Sequence, residues 1–324
     1  MIQPGLLAQV GLAGWDKLIF TVASGIAQGS IYALLALGFV LIFKATQVFN
    51  FAQGAIMAFG SYLVFYFAVS LDIPGRWIPG PYWLGWVGAV ILASLAATCL
   101  ALLLERTFLR PMIGEPLFSI AVITIGLDVV IRTVTNDFVN VTLRPIGTPW
   151  GNATFQIGNV AVALGDAITF ATTVVLVGAL ALFFRTRLGL AMRATAFDQE
   201  AAMAQGIPIG KVFAISWAIA AILATIAGVF VSSFPRGVGV TTNLAFVALS
   251  ALPAVILGGI DSIVGAVVGG LMLGLVQVTA GVYLLPYSAV LGSGFSVIVP
   301  YLVMIVVLLI RPYGLFGTRE IRRV

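Results

Sequence analysis

LIFTVASGIAQGSIYALLALGFVLIF, Leu18 to Phe43, runs for 26 residues without a charged side chain. A helix rises about 1.5 Å per residue, so about 20 apolar residues cross the roughly 30 Å hydrocarbon core of a bilayer. The stretch reads as a membrane span, long enough to be tilted or broken. Similar windows recur near 54–71, 84–105, 117–135, 166–184, 212–234, 243–260, 264–284 and 296–310. The run around Gly258-Gly259 is short, so the expected bundle holds eight to ten spans in a single domain, 1–324.

Composition agrees. Of 324 residues, 61% are hydrophobic and 8% charged, where soluble domains carry about 25% charged residues. The fold class expected is an all-α polytopic membrane protein, since the short alternating segments of a β-barrel do not appear. The leader MIQPGLLAQVGLAGWDK lacks the basic start and small-residue cleavage site of a signal peptide, so it is expected to be retained. Cys99 is the single cysteine and has no partner for an internal disulfide.

Basic residues orient the bundle. With the segment after 184 in the cytoplasm, the inner side holds Lys44, Arg106, Arg110, Arg185, Arg187, Arg193, Lys211, Arg311, Arg319, Arg322 and Arg323. Lys17, Arg76, Arg132, Arg144 and Arg236 remain elsewhere. The bias follows the positive-inside rule and places the tail RPYGLFGTREIRRV in the cytoplasm. On the other side, DIPGRWIPGPYW (72–83) reads as an interface-seated turn. Residues 136–165 read as a small hairpin or cap.

Histidine is absent, which removes Ser–His and Cys–His dyads, HExxH zinc sites and histidine proton relays. No GxxxxGK[ST] loop is present, so no nucleotide hydrolysis is expected on this chain. Gly292-Ser293-Gly294 has no base to activate its serine and reads as a loop. No catalytic residue and no metal site is assigned. Glu105, Asp128 and Asp261 are the carboxylates read inside apolar segments. Asp128 stands four residues before Arg132, within pairing distance on one helix face; Glu105 abuts Arg106, and Asp261 is expected to cap the helix that follows. None reads as an unpaired carboxylate awaiting a proton, which argues against ion coupling.

Small residues are the larger signal. Gly265/Gly269, Gly270/Gly274 and Gly25/Gly29 form GxxxG pairs, which let helix backbones approach closely. Two breaks interrupt the apolar runs: KATQVFNFAQG (Lys44–Gly54) and Gly258-Gly259-Ile260-Asp261-Ser262. In each, a polar residue stands four before Gly-Ala (Asn50 before Gly54-Ala55, Asp261 before Gly265-Ala266), a faint repeat. Breaks are where membrane backbone can expose polar groups safely, so Asn50, Gln53, Gly54, Gly258, Gly259 and Asp261 are candidates to line a solute path. Gln28, Ser30 and Tyr32 join them. Capping or packing is the equal alternative for each.

One polar stretch, RATAFDQEAAMAQGIPIGKVF (Arg193–Phe213), lies on the basic side. Its alanine-rich middle, Phe197 to Gln205, is helix-competent with Asp198 and Glu200 early; Gly206 ends the helix and Pro208 prevents its resumption. The pattern Glu200-Ala201-Ala202-x-x-x-Gly206 resembles the EAA coupling loop of ABC-importer permeases. With RLGLAMRATAFDQEAAMAQGI, ALGFVLIFKATQVFNFAQGAIMAFGSY, AVILGGIDSIVGAVVGGLMLG and the ending LLIRPYGLFG, in that family's order, nearly the whole chain resembles the branched-chain amino-acid ABC transporter permease family, in its LivH-like subunit. Some members have a histidine where Gln53 stands.

The resemblance implies a bundle with a cytoplasmic coupling loop at 185–211, in which Arg193, Glu200, Ala201, Ala202 and Gly206 engage an ATPase. It implies inward transport of branched-chain or related amino acids across a bacterial inner membrane. The implied partners are a homologous second permease, two cytoplasmic ATPases holding ATP and magnesium, and an extracytoplasmic solute-binding protein. The alternative is a stand-alone secondary transporter or channel for a small polar solute.

Overall fold

The computed structural model describes residues 14–77, 80–139, 143–292 and 294–317. The expectations for the leader before residue 14, for Ser293, and for the tail with Arg319, Arg322 and Arg323 lie outside the described residues.

The described residues are all-α apart from one hairpin and an isolated bridge between Arg144 and Val240. Helix α1 (Gly14–Thr46) is followed by α2 (Gln53–Phe65), which continues through a wide turn, Tyr66–Ser70. Next come α3 (Tyr82–Leu104), which widens in the same way at Glu105–Leu109, and α4 (Leu117–Val139). Strands β1 (Thr154–Ile157) and β2 (Val160–Ala163) precede α5 (Leu164–Phe183). Two short helices, α6 (Arg187–Phe197) and α7 (Gln199–Ala204), lead to α8 (Ile209–Val231). A 3₁₀ helix, Leu244–Ala251, runs into α9 (Leu252–Gly258), and α10 (Ile263–Tyr283), α11 (Ser288–Leu291) and α12 (Phe295–Ile310) complete the bundle. Among the described residues seven helices are long and apolar enough to cross a membrane, or eight if Leu285–Leu291 and Phe295–Ile310 form one bent span.

The window 243–260 departs from expectation. It forms a helix of two characters, 15 residues in all, instead of a full span. Pro253 sits at the start of α9, where its missing N–H is harmless. The preceding turns close as 3₁₀.

Helix α1 is the axis of the molecule. Every residue from Ala27 to Ile42 is buried, as expected of a helix apolar on all sides. It packs on α10, α8 and α5, and near its end on α6 and α9. Its closest neighbour is α10, and glycine explains why. A Cβ on Gly29 would stand 2.6 Å from the Leu271 backbone, and one on Gly274 would strike the Gly29 backbone. Gly270 likewise meets the Ala33 backbone of α1, whereas the other two glycines of the α10 stripe point elsewhere: Gly265 meets Gly258, and Gly269 meets the carbonyl of Ala254. One helix thus presents two small-residue faces, and both serve helix packing. By contrast α3, α4 and α5 leave large apolar side chains such as Leu95, Val130 and Val175 exposed, as a lipid- or subunit-facing wall requires.

The expected hairpin at 136–165 is present. Ile157 pairs with Val160 across a two-residue Gly158-Asn159 turn, and Gly158 adopts φ 62°. Tyr82 and Trp86 of α3 tie the chain before it, donating to the carbonyls of Gly147 and Ile146 at 2.6 and 2.9 Å.

Candidate functional site

The polar stretch after α5 folds as two helices where one was expected. Thr186 caps α6 by accepting from the Gly189 N–H at 3.3 Å. Asp198 leaves helical geometry, and its Oδ1 accepts the Ala201 N–H at 2.9 Å, so one residue ends α6 and starts α7. Gly206 ends the motif at φ 80°, with the Ile207 N–H closing on the Ala202 carbonyl at 3.0 Å. Arg193, Glu200, Ala201 and Gly206 are exposed, as is Phe197 between the helices, at 96%. Ala202 is buried and faces the bundle, so it packs the motif from within.

This motif is fastened to the end of α1. The Gln199 amide donates to the Ala45 carbonyl at 2.8 Å. From the residue before it, Lys44 Nζ donates to the Asp261 carbonyl in the second break at 2.6 Å. Beside the Lys44 bond lies a cavity of about 770 Å³, walled by Phe43 and Lys44 of α1, Gln47 just past its end, Arg193, Ala196 and Phe197 of α6, Ile256 of α9, Ile260 and Asp261 of the second break, and Pro312 and Tyr313. Helix α6, the end of the axial helix and the second break therefore share a single space.

Of the candidate path residues, Asp261 lines this cavity and the others lie elsewhere. Asn50 and Gln53 are fully buried in the first break. The Asn50 Oδ1 accepts the Ala52 N–H at 3.0 Å and its amide donates to Gln53 at 3.4 Å; the Gln53 amide reaches the Ala220 carbonyl of α8 at 3.1 Å. These amides satisfy a chain reversal, and the void beside Asn50 is about 10 Å³, room for at most one water. In the second break Gly259 adopts φ 106°, and the Leu315 and Phe316 N–H groups close on the Leu257 and Gly258 carbonyls at 2.8 and 3.0 Å. The helix cap here is Ser262, whose Oγ accepts the Gly265 N–H at 3.0 Å, and not Asp261 as the sequence suggested. The serine side chain sits at the N-cap itself, one residue nearer the free N–H groups.

On α1, Ser30 bonds back to the Ile26 carbonyl at 2.8 Å, and the Tyr32 hydroxyl bonds to Gln277 of α10 at 2.5 Å. Gln28 accepts from Arg236 Nε at 3.0 Å. Arg236 also stands 2.8 Å from Asp166, with the two side chains 6% and 3% exposed. That contact is electrostatic more than a directed hydrogen bond, since the Asp166 Oδ1 has no well-aligned donor. Sequence reasoning missed this pair: it counted only Glu105, Asp128 and Asp261 within apolar segments, although Asp166 opens α5. Nor did it foresee the partner of Glu105, which is buried and bound through both oxygens by Arg110, each at 3.1 Å.

Gly54 lines a second cavity, of about 180 Å³, with Phe51, Ile125, Asp128, Ala245, Phe246 and Leu249. Asp128 in its wall pairs with Arg132 at 3.3 Å, each side chain about a fifth exposed, and the Arg132 guanidinium lies 4.6 Å from the centre of the Phe246 ring, which also lines the cavity.

The comparisons with known proteins agree among themselves. Residues 21–308 match the family model described as branched-chain amino acid transport system, permease component. The chain is 30% identical over 315 residues to the high-affinity branched-chain amino acid transport system permease protein LivH of Escherichia coli (strain K12), covering 93% of this chain and 96% of that protein. LivH of Salmonella typhimurium matches to the same extent. BraD of Pseudomonas aeruginosa is 29% identical over 314 residues, with coverages of 93% and 96%.

Proposed function

The chain belongs to the family of branched-chain amino acid transport system permease components, and from that premise we propose that it is the membrane-spanning permease subunit of an ATP-driven ABC importer. It moves branched-chain or related amino acids inward across a bacterial inner membrane, with its C-terminus in the cytoplasm. A homologous permease completes the pore, two cytoplasmic ATPases bind ATP and magnesium, and an extracytoplasmic binding protein delivers solute.

The observation that carries this reading is the α6–α7 motif: short, solvent-exposed, and bonded through Gln199 to the axial helix. A partner that grips Arg193, Glu200, Ala201 and Gly206 would move α1 and the second break together, because Lys44 joins those two. Coupling of this kind needs distinct contacts in each state, and the shared cavity leaves room for them. The stand-alone ion-driven alternative is disfavoured by the carboxylates of α3, α4 and α5. Glu105, Asp128 and Asp166 are each ion-paired, so none awaits a coupling ion.

The test is uptake of L-leucine into proteoliposomes holding the whole assembly, energised either by ATP or by an ion gradient alone. Gly206→Trp supplies the internal control. No atom lies within 4 Å of its Cβ position, so the isolated chain accommodates the change at the cost of backbone strain, roughly 1–2 kcal/mol. The expected result is ATP-dependent uptake in the wild type, with ATPase co-purification and uptake lost in the variant. Uptake driven by the ion gradient without ATPases would overturn the proposal.

A further inference from the structure

We infer that the cavity between the first break, α4 and the 3₁₀ helix Leu244–Ala251 is a contact site for a zwitterionic solute of amino-acid size, with Asp128 taking its ammonium and Arg132 its carboxylate. The inference deepens the importer reading and rests on it. Asp128 lies eleven residues into the 23-residue α4, about 17 Å along the helix and so near the middle of a bilayer roughly 30 Å thick. An ion pair at that depth is costly if its open side meets lipid, so it belongs on a water-filled or protein-covered face. The molecule shows what a sealed pair looks like: Asp166 and Arg236 are 3% and 6% exposed, whereas Asp128 and Arg132 are 22% and 23% exposed. The second pair has been left open.

The walls fit an amphiphilic guest. One side carries Asp128; Phe51, Ile125, Phe246 and Leu249 supply apolar surface. The volume, about 180 Å³, is far above the roughly 10–15 Å³ that one water needs, and below the 300–1,000 Å³ typical of drug-sized ligands. Gly54 sets the floor, since a Cβ there would strike the Ala245 carbonyl. Opposite charges 3.3 Å apart mirror the two ends of an α-amino acid head group. A solute ammonium replaces Arg132 as the partner of Asp128, and the freed guanidinium, already held over the Phe246 ring, takes the carboxylate through its two-pronged donor edge. Every charge keeps a partner through the exchange. Binding is therefore transient, as a transport path requires.

The test uses the full chain in its membrane, with Cys99→Ser removing the native thiol and Ile125→Cys placing a new one on the cavity wall. A charged, membrane-impermeant methanethiosulfonate reagent is expected to label it. L-leucine is expected to slow labelling, by about tenfold at ten times its half-saturating concentration, while isocaproate (no ammonium) and isoamylamine (no carboxylate) leave the rate unchanged. Asp128→Asn is expected to keep the labelling and lose the protection. No labelling, while Tyr287→Cys at an exposed position reacts, would place the cavity against lipid and overturn the inference. Equal protection by the two analogues would do the same, by reducing the site to an apolar pocket. If Asp128→Asn fails to fold, the analogue comparison in the Ile125→Cys chain still decides. Labelling needs no ATP, so failure of ATP-driven uptake would sink the importer reading and leave this result readable.

Discussion

Removing one member of the Asp166–Arg236 pair leaves a charge where the protein has almost no water to offer it. Side-chain exposures of 3% and 6% place both groups in the interior, and breaking a buried pair from one side costs about 3–5 kcal/mol. Asp166→Leu strands the guanidinium but leaves its bond to Gln28 at 3.0 Å, so the expected loss is at the lower end, about 3 kcal/mol. Arg236→Leu strands the carboxylate and also orphans the buried Gln28 amide, which adds about 1–3 kcal/mol. The double variant removes both charges, and only the lesser polar groups of Gln28 and Ser24 remain short of partners. Its expected loss is about 2–3 kcal/mol, well below the sum of the single losses. The assay is equilibrium unfolding of the four proteins in mixed detergent micelles of rising SDS content, followed by tryptophan fluorescence and analysed as a double-mutant cycle. Additive losses, or single losses below about 1 kcal/mol, would refute the claim that this pair is buried and mutually dependent.

Two further outcomes are expected from the same assay. Gly274→Leu forces α1 and α10 apart, because the backbone of Gly29 occupies the space, and it should cost at least about 1–3 kcal/mol; Gly126→Ala on α4, with nothing within 4 Å, should be neutral or stabilising by up to about 1 kcal/mol. Ser262→Ala should lose about 1 kcal/mol through the missing cap, whereas Asp261→Asn should leave the start of α10 intact.

What the sequence could and could not reveal follows from the range of each interaction. Helix α1 was legible because its apolarity is local and continuous, and the α6–α7 motif because Asp198, Gly206 and Pro208 act on their immediate neighbours. Hydropathy alone counted 243–260 as a span; only 15 of its residues are helical, the first eight as 3₁₀, and a hydropathy window does not register backbone geometry. The partner of Glu105 was not foreseen because the chain widens at Glu105–Leu109, which carries Arg110, five residues on, to the glutamate's face. Ordinary helical spacing does not foresee that rotation. Asp166 and Arg236 are 70 residues apart and each looks like the edge of a loop, so no local pattern pairs them. The glycine stripes declared close packing but not its direction, since which face of α10 meets α1 depends on the whole bundle.

The contacts around the end of α1 are also of the size a switch requires. Driving a two-state equilibrium from 1:99 to 99:1 takes about 5.5 kcal/mol of differential interaction. The Lys44 bond to the Asp261 carbonyl is charge-assisted, worth about 1.5–3 kcal/mol, and the Gln199 bond to Ala45 adds about 1. The Leu315 and Phe316 N–H bonds that clamp the second break contribute about 1 kcal/mol each. Together these four reach about 4.5–6 kcal/mol. A much stronger set would hold the second break shut against any partner, and a much weaker one would let it open without the partner's work. In an importer the difference must be supplied by whatever grips α6 and α7, and Gln199 and Lys44 are the first groups through which that grip reaches the axial helix and the break.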